Sequence, residues 1–211
     1  MKMVVMTGSP RPKGTTNRLA DEFIKGATEA GHEVFRFNCA TAKVHPCVGC
    51  NHCGFGAGPC VFQDDFAKVL APKLQGADAV VLCGSTYYFA LNPQLASAVS
   101  RFYCINNAIT GERKAVLITA CGDEGEWITD GIEKTHEGIL KFMRWTDAGR
   151  VIARGFQSAA EVASSPFVKA EFGTSVEVER FGEKIPHTRA SYHVTFLVKV
   201  DASKRVAELA A

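Results

Sequence analysis

The sequence has almost no net charge: 24 Lys and Arg against 22 Asp and Glu leave +2 across 211 residues. No strong field of one sign follows, so neither nucleic acid nor a membrane surface is an expected partner. Long apolar runs are missing near the beginning, where Met3 to Met6 give only four apolar residues in a row. That is too short for a secretion-signal core and far too short to span a bilayer, so a buried first strand and a cytoplasmic protein are expected. Internal repeats, low-complexity tracts and linker-like stretches are absent too. With 46% hydrophobic residues the chain can bury one generous core.

Two nucleotide signatures are also missing. A Walker A loop needs Lys after its second Gly, and here Thr15 follows Gly14; a dinucleotide fingerprint needs further glycines that Gly8 lacks. The Gly54–Gly58 stretch, GFGAG, follows cysteines rather than a strand and carries no weight as a dinucleotide site. Neither ATP nor a Rossmann-bound NAD is supported, and no nicotinamide motif is present.

What is present is cysteine. Eight would mark a disulfide framework in a small secreted protein, but this chain is not small, and metal chemistry is the better reading. Cys47, Cys50, Cys53 and Cys60 fall together as C-x2-C-x2-C-x6-C, whereas Cys39, Cys83, Cys104 and Cys121 are scattered. Three thiolates on one tight loop can hold three corners of a four-iron, four-sulfur cube, and the flexible segment up to Pro59 can bring Cys60 to the fourth. Structural zinc competes, taking four thiolates or three with His45 or His52, although zinc usually uses two separated C-x2-C knuckles. Cys39, Cys83 and Cys104 are read as packing thiols without an assigned role.

Short apolar runs alternate with stretches of helical period, the pattern of a parallel sheet covered on both faces. Strands are expected near Lys2–Thr7, Glu33–Asn38, Ala77–Gly84, Lys114–Ala120 and Gly149–Ala153. Helices are expected near Thr16–Ala30, Asp64–Gln75, Pro93–Cys104 and Thr129–Trp145, with a fifth over Ala159–Gly182 interrupted by Pro166. This is a three-layer α/β, doubly wound, five-stranded parallel sheet of the flavodoxin-like type, with the cysteine-rich loop after strand two. Tyr192, Val194, Phe196, Val198 and Val200 alternate with mostly polar residues, which reads as an extra C-terminal strand. The expected division is residues 1–185, carrying the cysteine loop at 45–63, and a C-terminal extension of 186–211.

In such a fold ligands sit just beyond the carboxyl ends of the strands. After the first strand, GSPRPKGTTNRL leads into a helix with Thr15 or Thr16 as its N-cap. Free backbone N–H groups and the positive helix end suit a phosphate; Ser9, Thr15, Thr16 and Asn17 add donors, Gly14 admits close approach, and Arg11 can neutralise a dianion. An ordinary strand-to-helix turn reads the same residues equally well.

The GSPR loop with its following TTN resembles the phosphate-binding loop of the NADPH-dependent FMN reductase and iron-sulfur flavoprotein families. The compact cysteine motif, followed by DDF, resembles the latter. The resemblance covers about Met1 to Phe156. It implies FMN on the first loop, and it implies that Ser85, Thr86, Tyr87, Tyr88 and Phe89 wrap the flavin ring, with Tyr87 standing where the family usually has Pro. It implies likewise that Thr119, Ala120, Cys121, Gly122 and Asp123 border that ring, Cys121 replacing a usual glycine. One 4Fe-4S cluster on the four clustered cysteines, a homodimer or homotetramer, and an electron donor such as ferredoxin or NAD(P)H serving a small-molecule or protein acceptor complete the expectation. The activity expected is electron transfer through FMN and the cluster; the alternative is an FMN-dependent NAD(P)H oxidoreductase acting on quinones or similar acceptors without a functional cluster.

Overall fold

The computed structural model describes residues 1–156 and, as backbone alone, 175–179 and 193–197. Strand β1 (Lys2–Thr7) is buried from Met3 onward, and its alternate residues face opposite ways. Met3 and Val5 join Leu19, Ala20, Phe23 and Ala27 of helix α1 (Thr15–Glu29) in one core, while Val4 and Met6 join Leu74, Leu95 and Ile132 in another. One sheet between two apolar layers is the three-layer arrangement that continuous apolar strands require.

The chain continues through β2 (Glu33–Asn38), a π-helical turn at Phe66–Leu70, and α2 (Ala71–Gln75) to β3 (Ala79–Tyr87). The single helix expected at 64–75 is thus split. Pro72 lies at its second winding, and a residue without an amide hydrogen cannot close an ordinary turn behind it. A two-residue strand β4 (Ala90–Leu91) turns back on β3, and α3 (Pro93–Ser100) is followed by a 3-10 segment, Arg101–Ile105, and α4 (Asn106–Ile109). Next come β5 (Lys114–Ala120), a 3-10 turn at Glu126–Thr129, α5 (Asp130–Met143) and β6 (Thr146–Ala153). Strand β6 begins three residues earlier than expected because a bulge skips Ala148 and restores the pairing at Gly149.

Beyond β6 the expectation changes. Residues Ser175–Glu179 lie in the stretch expected to be helical, yet they form β7, parallel to β6 through Val151–Val176 and Ala153–Val178. SVEVE alternates with a period of two and carries β-branched residues, which suits a strand. The remainder of the expected fifth helix lies outside the described residues. Strand β8 (His193–Leu197) falls within the expected C-terminal strand and pairs antiparallel with β7; Tyr192, Val198 and Val200 lie outside the described residues.

The sheet order is β2-β1-β3-β5-β6-β7-β8, parallel from β2 to β7, so six parallel strands stand where five were expected. The chain moves outward from β1 to β2 and then returns to the other side of β1 for β3. That reversal makes the carboxyl ends of β1 and β3 the switch point at which a doubly wound sheet opens a crevice. Among the described residues no helix is long and apolar enough to cross a membrane.

Candidate functional site

The loop after β1 is tied down from within. Gly8 donates its N–H to the Cys83 carbonyl at 2.8 Å, which carries the β1–β3 pairing one residue past β1. The Asn92 carboxamide, fully buried at the start of α3, donates to the Gly8 carbonyl at 2.6 Å and to Gln94 Oε1 at 2.8 Å. A Cβ on either Gly8 or Gly84 would lie 2.4 Å from Asn92 Oδ1, so both positions need glycine for this close approach. Asn92 Oδ1 itself is buried without a partner.

The helix starts one residue earlier than expected: Gly14 occupies the N-cap, no side chain caps it, and neither Thr15 nor Thr16 does the capping. Asn17 is buried, and its Nδ2 donates to the carbonyls of Ser9 (3.4 Å) and Arg11 (2.7 Å). Both carboxamide hydrogens are therefore spent on the loop, and Asn17 shapes it rather than lending those donors to a ligand. Arg36 of β2 donates to Asn17 Oδ1 at 2.9 Å and pairs with Asp21. The Ser9 hydroxyl accepts from Arg11 N–H at 3.3 Å and keeps its own hydrogen to give. Thr16 is buried, whereas Gly14 and Thr15 are half-buried and Arg11 is exposed. The rim so formed offers a cation and the uncapped amides of the first helical turn, a setting suited to a phosphate monoester.

The loop after β3 is a two-residue hairpin to β4. Its central residues, Tyr88 and Phe89, have φ of 45° and 67°, as the tightest hairpin class demands of both positions. Neither is the Gly or Asn that usually accepts such backbone, and strain of this kind is held only where the surroundings impose it. Tyr88 is almost fully exposed, and the Phe89 ring lies 5.1 Å from that of Trp127 at 32°. The Phe89 carbonyl sits against the first turn of α5, where a Cβ on Gly131 would come within 2.1 Å of its oxygen. Gly131→Ala is expected to push the hairpin aside. Flavin titration should then show affinity about tenfold weaker, with the fold retained, because only the hairpin can yield to the clash.

Thr86 and Thr119 meet hydroxyl to hydroxyl at 3.4 Å, so the loops after β3 and β5 share one edge. Ala120 is buried, and the buried Cys121 thiol donates to the Asp123 carbonyl at 3.2 Å. Burial pushes that thiol above its ordinary range. Asp123 Oδ1 accepts from Gly125 N–H, and Gly122 and Asp123 are exposed at the rim. The loops after β1, β3 and β5 thus lie side by side at the carboxyl end of the sheet, with Ser85 and Thr86 half-buried between them.

The cysteine loop lies elsewhere. It leaves the end of β2 and packs on the far end of α3, where Ser100 Oγ accepts the Cys47 N–H at 3.0 Å and Tyr103 donates to Asn51 Oδ1 at 2.9 Å. Gly49, Asn51, Gly54, Phe55 and Gly56 all have positive φ, which coils the loop tightly. Cys47, Cys50, Cys53 and Cys60 line one pocket together with Arg101, Tyr103 and Cys104. Gly49 N–H points at Cys47 Sγ across 3.5 Å, the kind of contact that stabilises a metal-bound thiolate. Among the described residues no three His, Cys, Asp or Glu side chains gather as ligands to a single ion. The four thiols therefore share a cavity without converging on one point.

Arg101 anchors this loop. It is 1% exposed and donates to the carbonyls of His45 (2.9 Å) and Phe62 (3.2 Å), one on each side of the cysteines. It also pairs with Asp64 at 2.8 Å and lies over the Phe62 and Phe66 rings. Burial alone would depress its pKa, but the Asp64 hydrogen bond and charge raise it. Asp64 is held below its usual range in turn, because the His45 amide and Arg101 outweigh its burial. His45 is stacked on Phe62 at 3.9 Å rather than turned to the thiols.

The match to known families is decisive here. A model of the NADPH-dependent FMN reductase family spans residues 1–132. The chain belongs to that family. It is 34% identical over 146 residues to an iron-sulfur flavoprotein of Methanocaldococcus jannaschii, covering 66% of this chain and 72% of that protein. An iron-sulfur flavoprotein of Archaeoglobus fulgidus is 32% identical over 101 residues, 48% of this chain but only 45% of its own length. Among solved structures, an NAD(P)H:quinone oxidoreductase from Methanothermobacter marburgensis superposes with a TM-score of 0.61 at 17% identity, over 76% of this chain and 88% of that one. The Trp repressor binding protein of Bacillus subtilis gives 0.56 at 16%, over 79% and 94%. At such identities these two show the fold alone.

As a member of the FMN reductase family the protein is a flavin-dependent oxidoreductase, with FMN as the cofactor the family supports. The residues expected to form the phosphate loop and the ring loops lie at the carboxyl end of the sheet, after β1, β3 and β5. Asn92, Gly131, Trp127 and Arg101 escaped the sequence reading. Only Asn92 had a usable signal, as a helix-capping residue type directly before Pro93.

Proposed function

We propose that this FMN-dependent oxidoreductase is an electron-transfer flavoprotein carrying one 4Fe-4S cluster on Cys47, Cys50, Cys53 and Cys60. The observation that carries the reading is the single pocket those four cysteines line, closed at both flanks by the buried Arg101 guanidinium. A cube spreads its ligand sulfurs over four irons, whereas zinc draws them round one ion. Arg101, fixed and charged beside the pocket, offsets the negative charge that four thiolates bring.

FMN would take its phosphate at Ser9, Arg11, Gly14 and the amides of Thr15–Asn17, and its ring between Ser85–Phe89 and Thr119–Asp123. When bound, FMN supplies both paired and single electron transfers, which lets a two-electron donor such as NAD(P)H serve a one-electron relay. The protein's own part is to bind, orient and shield. Asn17 and Asn92 hold the phosphate loop in shape, Thr86 and Thr119 join the two ring loops, and the hairpin presents Tyr88 and Phe89 to one side of the crevice.

Asn92 marks the flavin end of α3, and Ser100 with Arg101 marks the cysteine end; eight helical residues at ~1.5 Å each put about 12 Å of protein between the two ends. In a homo-oligomer the cluster of one subunit could face the flavin of its neighbour. Two exposed aromatic groups favour such pairing in a homodimer or homotetramer: Phe55, Tyr103 and Phe142 beside the cysteine loop, and Tyr87, Tyr88 and Trp127 beside the flavin loops.

Cys53→Ala is expected to lose about nine-tenths or more of its iron and sulfide after anaerobic reconstitution while keeping full FMN content. Unchanged iron in that variant would refute the assignment. The second reading, a quinone-directed NAD(P)H oxidoreductase without a cluster, draws on the lack of a single-ion ligand group among the described residues. It predicts instead that NADPH bleaches the flavin of wild type and Cys53→Ala at the same rate, with no iron in either.

A further inference from the structure

Cys104 stands 44 positions beyond Cys60, outside any recognisable ligand spacing. The fold nevertheless brings it into the same pocket as Cys47, Cys50, Cys53 and Cys60. Cys104 and Cys60 are near neighbours on its wall. Both also border a second, larger cavity on the other side, lined by Gly56, Gln63, Ala71 and Ile105, so the two sulfurs share the wall between the cavities.

Their backbones differ in kind. Cys60 follows the glycine-rich stretch of the loop, with its carbonyl held by Gln63 Nε2 at 2.8 Å. Cys104 is carried by the 3-10 segment Arg101–Ile105, next in line to the buried Arg101, and its thiol donates to the Arg101 carbonyl at 3.1 Å. One sulfur rides on the loop and the other on the scaffold, at the same corner of the pocket.

We propose that Cys104 is a reserve ligand for that corner, exchanging with Cys60 for the same iron of the cluster. The proposal rests on the cluster reading above. In the exchange the Cys104 sulfur gives up its proton and bonds to iron, the Cys60–iron bond breaks, and Cys60 takes up a proton. No electron changes hands and no outside reagent is needed. The device would keep the cluster intact when the loop carrying Cys60 is displaced or its thiol is oxidised.

The test is anaerobic reconstitution of the full chain as wild type, Cys47→Ala, Cys60→Ala, Cys104→Ala and the Cys60→Ala/Cys104→Ala pair. Iron, sulfide and FMN are measured per chain, and electron paramagnetic resonance is recorded on the reduced protein. Alanine is used because a serine oxygen can itself bind iron. Cys60→Ala is expected to keep at least about half the wild-type iron with an altered resonance, while Cys47→Ala and the double variant fall below about a tenth. Cys104→Ala alone should match wild type. Full FMN content in every variant shows that each has folded. The proposal is overturned if Cys60→Ala is as empty as Cys47→Ala, or if the double variant holds as much iron as Cys60→Ala. Wild-type protein without iron and sulfide would instead sink the cluster reading itself, and the reserve ligand with it.

Discussion

Arg101→Met is expected to destabilise the protein by about 3 kcal/mol, the toll of leaving one partner of a buried ion pair behind. Asp64, 15% exposed, would lose its guanidinium, and the carbonyls of His45 and Phe62 would lose their donor. For a chain of this size that corresponds to a melting temperature lower by roughly 6–12 °C. Methionine replaces the packing against Phe62 and Phe66 but none of the three polar contacts. Arg101→Lys keeps the charge and can reach Asp64, yet a single ammonium lacks the fork that spans both flanks of the loop. It should recover part of the melting temperature while hydrogen exchange in residues 45–62 stays faster than in wild type. Equal protection of that loop in all three proteins would show that Arg101 does not anchor it.

Asn17→Ala is expected to weaken FMN binding roughly 30- to 100-fold, because loss of two loop hydrogen bonds and of an acceptor for Arg36 costs on the order of 2–3 kcal/mol. The defect lies in the shape of the phosphate loop, so riboflavin, which lacks the phosphate, should bind the variant and wild type nearly alike. Fluorescence titration with both ligands separates the two effects. An equal loss for riboflavin would place Asn17 against the ring or would mean a general loss of folding. The linkage also works through β2: Arg36 reaches Asn17 from a neighbouring strand, so Arg36→Ala should show the same selectivity at a smaller magnitude.

The cores of β1 and β5 were legible because their apolar runs are local and are buried on both faces, whereas β2 lies at the sheet's edge with only Phe37 buried. Strand β3 runs on to Tyr87 because it feeds a hairpin, and no Asn-Gly or Asp-Gly announces that turn; Tyr88 and Phe89 take left-handed backbone against their own preference. The cysteine spacing pointed at a four-iron cluster; the fold places all four thiols on one pocket, while among the described residues no three ligand side chains gather on one ion. Arg101 stayed hidden for a different reason. Its partners lie 37, 39 and 56 residues away, and a lone arginine in a helical stretch reads as a solvated surface residue. Cys104 was read as a packing thiol on the same ground, since distance along the chain conceals what a doubly wound sheet brings together. Cys39 and Cys83, by contrast, are the inert core thiols expected, each pushed up to about 12 by burial.

The central claim is that one chain holds both FMN and a four-iron cluster. Protein purified without oxygen should contain, per chain, about one FMN, four irons and four inorganic sulfides, with a broad absorption near 400 nm beneath the flavin bands. One FMN with neither iron nor sulfide, or with stoichiometric zinc in their place, would contradict it.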